Sequence, residues 1–260
     1  MTPEEEEAAY RGLRSLIDET LCDLKVRIDF LHEHWHGKSD EEKAQYSWCI
    51  ALGVLAHDVG SATVALVDID RLRAARVLNR SLFEYHLRLR IYQADPSEAV
   101  RDATDAPKEL RRFFESTPVR DVKELDMSPE DVAEFEAFLK EHEGKPRSRN
   151  VWQDLETVYT GDHAQALFDY LNLYGFASAL AHGSGLVFKE VVQGTSDTTT
   201  ALWWRSRYLT RFLMIGEAFG RLVGILQAIE ETSGYFHAHV VINRKYAEIM
   251  RPIVRRFRAR

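Results

Sequence analysis

The stretch FLMIGEAFGRLVGILQAI, from Phe212 to Ile229, decides the fold. It is the most apolar run in the chain, yet Glu217 and Arg221 interrupt it. A membrane span needs about 20 predominantly apolar residues, and a charge at its centre is expensive. This run therefore predicts a helix buried among other helices. The pattern extends it from about Thr200 to Glu231, and a final helix follows Gly234.

The same signature spreads toward the N-terminus. Thr2-Pro3-Glu4-Glu5 reads as a capping box with proline at the first helical position. Tyr10, Leu13, Leu16, Ile17, Leu21 and Leu24 then recur at helical spacing, predicting a helix to about Trp35. Ser39 with Glu42 forms a second capping box, opening a helix that carries Trp48, Ile50, Leu52, Val54 and Leu55 to roughly Val67. Asp68 or Asp70 is expected to cap a third helix, which ends before Asp95-Pro96.

Residues 96 to 150 differ in character. They hold ten Lys/Arg, fourteen Asp/Glu and five prolines, and read as a charged, solvated insertion of short helices rather than a second core. One of these helices starts at Ser128-Pro129-Glu130-Asp131 and ends near Gly144. The apolar pattern returns at Val151, and Asp162 caps a helix carrying LFDYLNLYGFASALAH. Only GLVFKEVVQGTSDTTT, 185 to 200, has the β-branched residues and turn formers of a short strand or ordered loop. The expectation is one all-α domain over residues 1–260, a bundle of long helices with an insertion at about 96–150.

Bulk properties narrow the function. A 260-residue chain can bury a sizeable core, and 45% hydrophobic with 29% charged residues is a soluble composition. A net charge of −7 argues against nonspecific coating of nucleic acid, though not against a local basic patch. Cys22 and Cys49 lack CxxC spacing, so neither a disulfide framework nor a thiolate metal site is expected. MTPEEEEAAY is acidic where a signal peptide is basic, which predicts a cytoplasmic protein with no membrane partner. No cofactor is expected.

Two segments carry chemistry. In RVLNRSLFEYHLRLR, residues 76–90, Arg76, Arg80 and Glu84 share one face of a mostly apolar helix. Arg80 and Glu84 stand four apart and can pair, with Arg76 one turn earlier. A buried charge needs a partner, so the pair is either a lock between packed helices or an anion site. The planar guanidinium suits phosphate or carboxylate, and Glu84 would orient it. In FASALAHGSG, Ser178 and His182 repeat the spacing of four, ahead of Gly183-Ser184-Gly185. His182 is either a helix C-terminal residue satisfying free carbonyls or a general acid/base.

The combination of RVLNRSLFEYHLRL with YGFASALAHGSG resembles a bacterial all-helical family, the domain of unknown function numbered 5677, over about residues 45 to 190. In that family an Arg-x3-Glu helix precedes a Ser-x3-His ending. The ending is similar, more distantly, to HEPN helical bundles, whose Arg-x4-His cleaves RNA without metal, commonly at a dimer interface. Here Ala177 stands where that arginine would be. Either Arg80 or Arg76 supplies the guanidinium, or the site binds without cutting. The resemblance implies a homodimer whose ligand is RNA or a phosphorylated small molecule. His182 would be general acid/base, Arg80 would hold phosphate charge and Glu84 would orient Arg80. Arg76 and Ser178 would complete the ligand site.

Two rivals stand beside this reading. One is a noncatalytic interaction or structural module in which Arg80–Glu84 locks the bundle. The other rests on His57-Asp58, which resembles the pair of HD-type metal phosphohydrolases. It needs His32, His34 or His36 upstream and Asp68 or Asp70 downstream. The basic tail RKYAEIMRPIVRRFRAR reads as a solvated helix end, a footprint for nucleic acid, or a contact with the acidic N-terminus. Trp203-Trp204 is a core or dimer-contact element.

Overall fold

The computed structural model describes residues 3–35, 38–116, 128–142, 144–147, 150–170, 174, 210–234 and 237–258. Every element among them is helical. In chain order they are α1 (Pro3–His34), α2 (Asp40–Asp68), α3 (Leu72–Ala94), α4 (Pro96–Ser116), α5 (Pro129–Glu141), α6 (Val151–Val158), α7 (His163–Asp169), α8 (Arg211–Ser233) and α9 (Ala238–Arg258). The protein is an all-α bundle. The segments 175–209, which include the expected strand and Trp203-Trp204, lie outside the described residues.

The apolar stretch from Phe212 to Ile229 is the centre of the bundle. In α8, Met214, Ile215, Ala218, Phe219, Leu222, Val223, Ile225, Leu226, Ala228 and Ile229 are all buried. They cover more than one face, as expected for a helix enclosed by α1, α2, α3 and α9. Thr210 caps its N-terminus by accepting from Leu213 N, and Gly234, at φ 74, ends it in the left-handed conformation that glycine tolerates best. Both α2 and α8 have the length and apolarity of a membrane span. For α8, burial among other helices accounts for that composition.

α1 buries Tyr10, Leu13, Leu16, Ile17, Leu21, Leu24, Ile28 and Leu31, the i, i+3/i+4 stripe expected of it. α2 opens with the expected capping box: Ser39 Oγ accepts from Glu42 N at 3.3 Å, and Glu42 Oε2 accepts from Ser39 N at 2.9 Å. α8 packs against α1, α2 and α3, and α2 against α1 and α3, around one core. α2 approaches closely where it lacks a Cβ, since one added at Gly53 would stand 2.9 Å from Ile28. α9 lies along α1 and α8, with Tyr246 stacked on Phe219 and Lys245 paired with Glu19. α9 thus meets α1 through Lys245 at Glu19 and through Ile249 at Gly12.

Two local expectations change. Neither Asp68 nor Asp70 caps α3: its N-cap is Arg71, with no side-chain bond. Asp68 instead accepts from Tyr10 Oη of α1, and Asp70 turns the chain at φ 61. A distant phenol outcompetes the local amides for the Asp68 carboxylate. Within residues 96 to 150, α4 runs for 21 residues and packs on α2 and α3. Trp48 Nε1 donates to Ala99 O at 2.9 Å, so the first turn of this charged helix is fastened to the core.

Candidate functional site

The α3–α8 seam brings the charged face of α3 against the two charges of the apolar helix. Arg76 donates through Nη1 to Glu217, and Asn79 Nδ2 donates to Met214 O at 3.0 Å and Glu217 Oε2 at 3.4 Å. One turn on, the Arg221 guanidinium lies over the Phe83 ring at 5.0 Å and reaches Asp169 at 3.6 Å. At the far end, Gln93 Nε2 donates to Ala228 O at 3.0 Å, and Arg90 reaches Glu231 at 3.3 Å. Residue numbers rise together along the seam, so the two helices run in the same direction. Residues 76, 79, 83, 86, 90 and 93 form one helical stripe, and most of its rungs are polar.

These rungs carry different electrostatics. Burial holds the Glu217 carboxyl above the usual carboxylate range, outweighing the opposing pull of Arg76 and Asn79. His86 faces Gly224, where an added Cβ would stand 2.5 Å from its ring. Burial first, then the charges of Arg221 and Arg90, push its imidazole down to about 3. His86 is therefore a neutral packing group at neutral pH. Tyr159 donates to Asp169 at 2.6 Å, and Gln165 Nε2 donates to the other Asp169 oxygen at 2.9 Å. Asp169 is almost fully buried and satisfied by these donors together with Arg221.

Arg80 lies on the same helix but in a different setting. Its Nε donates to Glu84 Oε1 at 2.8 Å, the i, i+4 pair read from the sequence. Its guanidinium lies over the Tyr174 ring at 4.6 Å, and Nη2 donates to Tyr174 Oη at 3.4 Å. Tyr174 belongs to the YGFASALAH segment, four residues before Ser178 and eight before His182. Ser178 and His182 themselves lie outside the described residues. Arg80 and Glu84 thus come together at a place that the second motif reaches through Tyr174. Arg76 is held apart from them by its bond to α8.

Glu84 also lines a cavity of about 260 Å³ between α2, α3, α4 and α6, walled by Trp48, Tyr85 and Tyr92. Asp102, Asp105, Glu109 and Asp154 line it too, with Arg88 and Arg147. Arg147 is bonded to Asp105 at 3.0 Å, Asp102 at 2.9 Å and Glu98 at 3.1 Å. Burial, joined by the charges of Asp102 and Glu98, raises the Asp154 carboxyl despite Arg88 and Arg147. This carboxylate-rich wall disfavours phosphate and suits amino or guanidinium groups.

Of the residues expected for a metal site, His36 lies outside the described residues. Among the described residues, no three His, Cys, Asp or Glu side chains group as metal ligands do. His57 Nδ1 and Asp58 lie 3.5 Å apart on an exposed part of α2, and Asp68 is engaged by Tyr10 and Arg14.

Sequence reasoning missed Glu217, Tyr174 and Asp169 as partners of the arginines. Glu217 and Arg221 did carry a signal, as charges inside the most apolar run. No family model, no curated protein and no solved structure matches the chain. The likeness to the 5677 family and to HEPN domains rests on the motifs alone.

Proposed function

We propose that the protein is a HEPN-like helical domain that binds RNA or a phosphorylated small molecule through Arg80. One observation carries this reading: the Arg80 guanidinium is oriented but not saturated. Glu84 fixes Nε, Tyr174 supports the plane, and Nη1 makes no hydrogen bond among the described residues. A rigid fork with a spare N–H edge is the arrangement that takes a phosphate oxygen. Glu84 is the orienting group, and its side chain keeps 38% exposure. A ligand phosphate that displaces it leaves the carboxylate in water, at little desolvation cost. Ser178 and His182, on the segment that delivers Tyr174, supply a hydroxyl and an imidazole. In an enzymatic form, His182 takes the proton of a ribose 2′-hydroxyl as that oxygen attacks phosphorus. Arg80 stabilises the developing phosphorane charge, and a protonated group returns a proton to the leaving oxygen. No metal enters this scheme.

A second reading is favoured by the ion pairs of α3 and α8: Arg76, Arg80, Arg90 and Arg221 each have a carboxylate within 4.0 Å. Such charge-for-charge pairing is what a noncatalytic module locked by its ion pairs requires. The discriminating experiment incubates labelled single-stranded RNA with wild type, Arg80→Ala and His182→Ala in EDTA, following anisotropy and product. Binding lost in Arg80→Ala supports the proposal, and cleavage lost in His182→Ala with binding kept assigns catalysis. Wild type that binds neither RNA nor a mononucleotide overturns it and leaves the structural module.

A further inference from the structure

α2 buries one side in the core and leaves the other uncovered. Its exposed residues from Ser47 onward are Ala51, Val54, Leu55, Asp58, Ser61, Ala62, Ala65, Asp68 and Ile69. Their spacing of three and four places them on one stripe, about 33 Å long at 1.5 Å per residue. Val54 (44% exposed) and Leu55 (46%) are neighbours, and Ile69 (66%) stands about four turns on, at the C-cap of the helix. From Tyr46 to Asp70 the chain has no Lys, Arg or Glu, although half of this helix faces outward. A solvated helix face is normally filled with those residues, so an apolar stripe of this length marks a contact surface.

We infer that this stripe is the contact between two copies of the chain, packed with their α2 helices antiparallel about a twofold axis near Asp58. Two observations select this occupant. A helix lying on a membrane carries Lys and Arg on its polar flank, and this one carries neither while placing Asp58 and Asp68 along its midline. The stripe also matches large with small about Asp58. Val54 and Leu55 lie before it, with Ala62 and Ser61 at the same distances after it, and Ile69 after it is matched by Ser47 before it.

Antiparallel pairing sets residue i against residue 116 − i, so Leu55 of one copy meets Ser61 of the other and Val54 meets Ala62. Each large side chain meets a small one, twice over, as a closed isologous contact requires. At the axis the two Asp58 carboxylates face each other, and each is mostly exposed in the protomer, so water screens the pair. Of the other charges near the stripe, Asp68 is engaged by Tyr10 and Arg14, with Arg211 3.9 Å away.

A single helix pair buries less than the roughly 800 Å² per partner of a standard stable interface, so the dimer is reversible. Sedimentation equilibrium of the full chain over a dilution series is the test. Wild type is expected to move from the 30.0 kDa protomer toward twice that mass as concentration rises. Leu55→Lys and Ser61→Glu should each weaken association at least tenfold while leaving helicity and unfolding midpoint unchanged. The double variant Leu55→Lys/Ser61→Glu restores it, because each lysine then faces a glutamate across the axis. These two positions are six apart in one chain, so rescue cannot arise within one helix.

As a second measurement, Asp58→Cys in a Cys22→Ser background should give a crosslinked dimer with a short bis-maleimide. Wild type that stays monomeric at every concentration overturns the inference, as does a dimer indifferent to Leu55→Lys. Failure of the double variant to rescue, with no Asp58→Cys crosslink, overturns the antiparallel register. Flotation of wild type with anionic vesicles, lost in Leu55→Lys, would assign the stripe to a membrane surface instead.

Discussion

Arg76 and Arg80 stand one turn apart on α3, and they do different work. Arg76 spends its charge across the bundle, on Glu217 of α8, with Asn79 bracing the same carboxylate. Arg80 spends its charge locally, on Glu84 of its own helix, and its Nη1 makes no hydrogen bond among the described residues. The first pair fixes which helices meet and in what register. The second is compatible with any packing of α3, and on the proposed reading it orients a group for a ligand. Charge on an apolar helix is therefore not one signal but two, separated by where the partner comes from.

The sharpest way to break this comparison is Arg76→Ala. It leaves Glu217 partly buried without its cation, which costs about 3–5 kcal/mol in urea denaturation. Arg80→Ala serves as the control. A smaller loss is expected from Gly224→Ala, where the new methyl group collides with His86. Overpacking of this kind costs about 1–3 kcal/mol, and His86→Ala in the same chain should relieve the clash.

The pH dependence of the seam gives the next effect. The folded state holds the His86 imidazole at about 3, below its ordinary value near 6.5, so the unfolded chain binds the proton first. The stability that depends on neutral His86 is complete above about 6.5 and is lost as pH falls toward 3. Unfolding free energies in urea for wild type and His86→Leu should converge or cross as pH falls, by up to about 1.4 kcal/mol per pH unit. Parallel pH profiles for the two proteins would remove His86 from the account.

How much of this was legible beforehand follows from sequence distance. The Ser39–Glu42 box, the Asp162 cap and the Arg80–Glu84 pair are all local, and spacing alone gives them. The burial of α8 was legible too, because an apolar helix with two charges has few other settings. Arg76–Glu217 was not, since the partners lie 141 residues apart and periodicity does not say which helices pack. Asp68 misled for the same reason: a carboxylate beside a helix start looks like a cap until Tyr10, 58 residues away, takes it. The charges of α4 hid a packed helix. Its acids answer Arg147 while Ala99 sits under Trp48.

The smallest expected effect on stability is also the most direct test of the central claim, that Arg80 is held for a ligand and not for the fold. Arg80→Ala should lower folding stability by less than about 1 kcal/mol, as for a partly exposed i, i+4 pair. The same protein, titrated against labelled single-stranded RNA and a mononucleotide by anisotropy, should lose at least tenfold in affinity relative to wild type. An Arg80→Ala protein that unfolds like Arg76→Ala, or that binds both probes as wild type does, would contradict the claim.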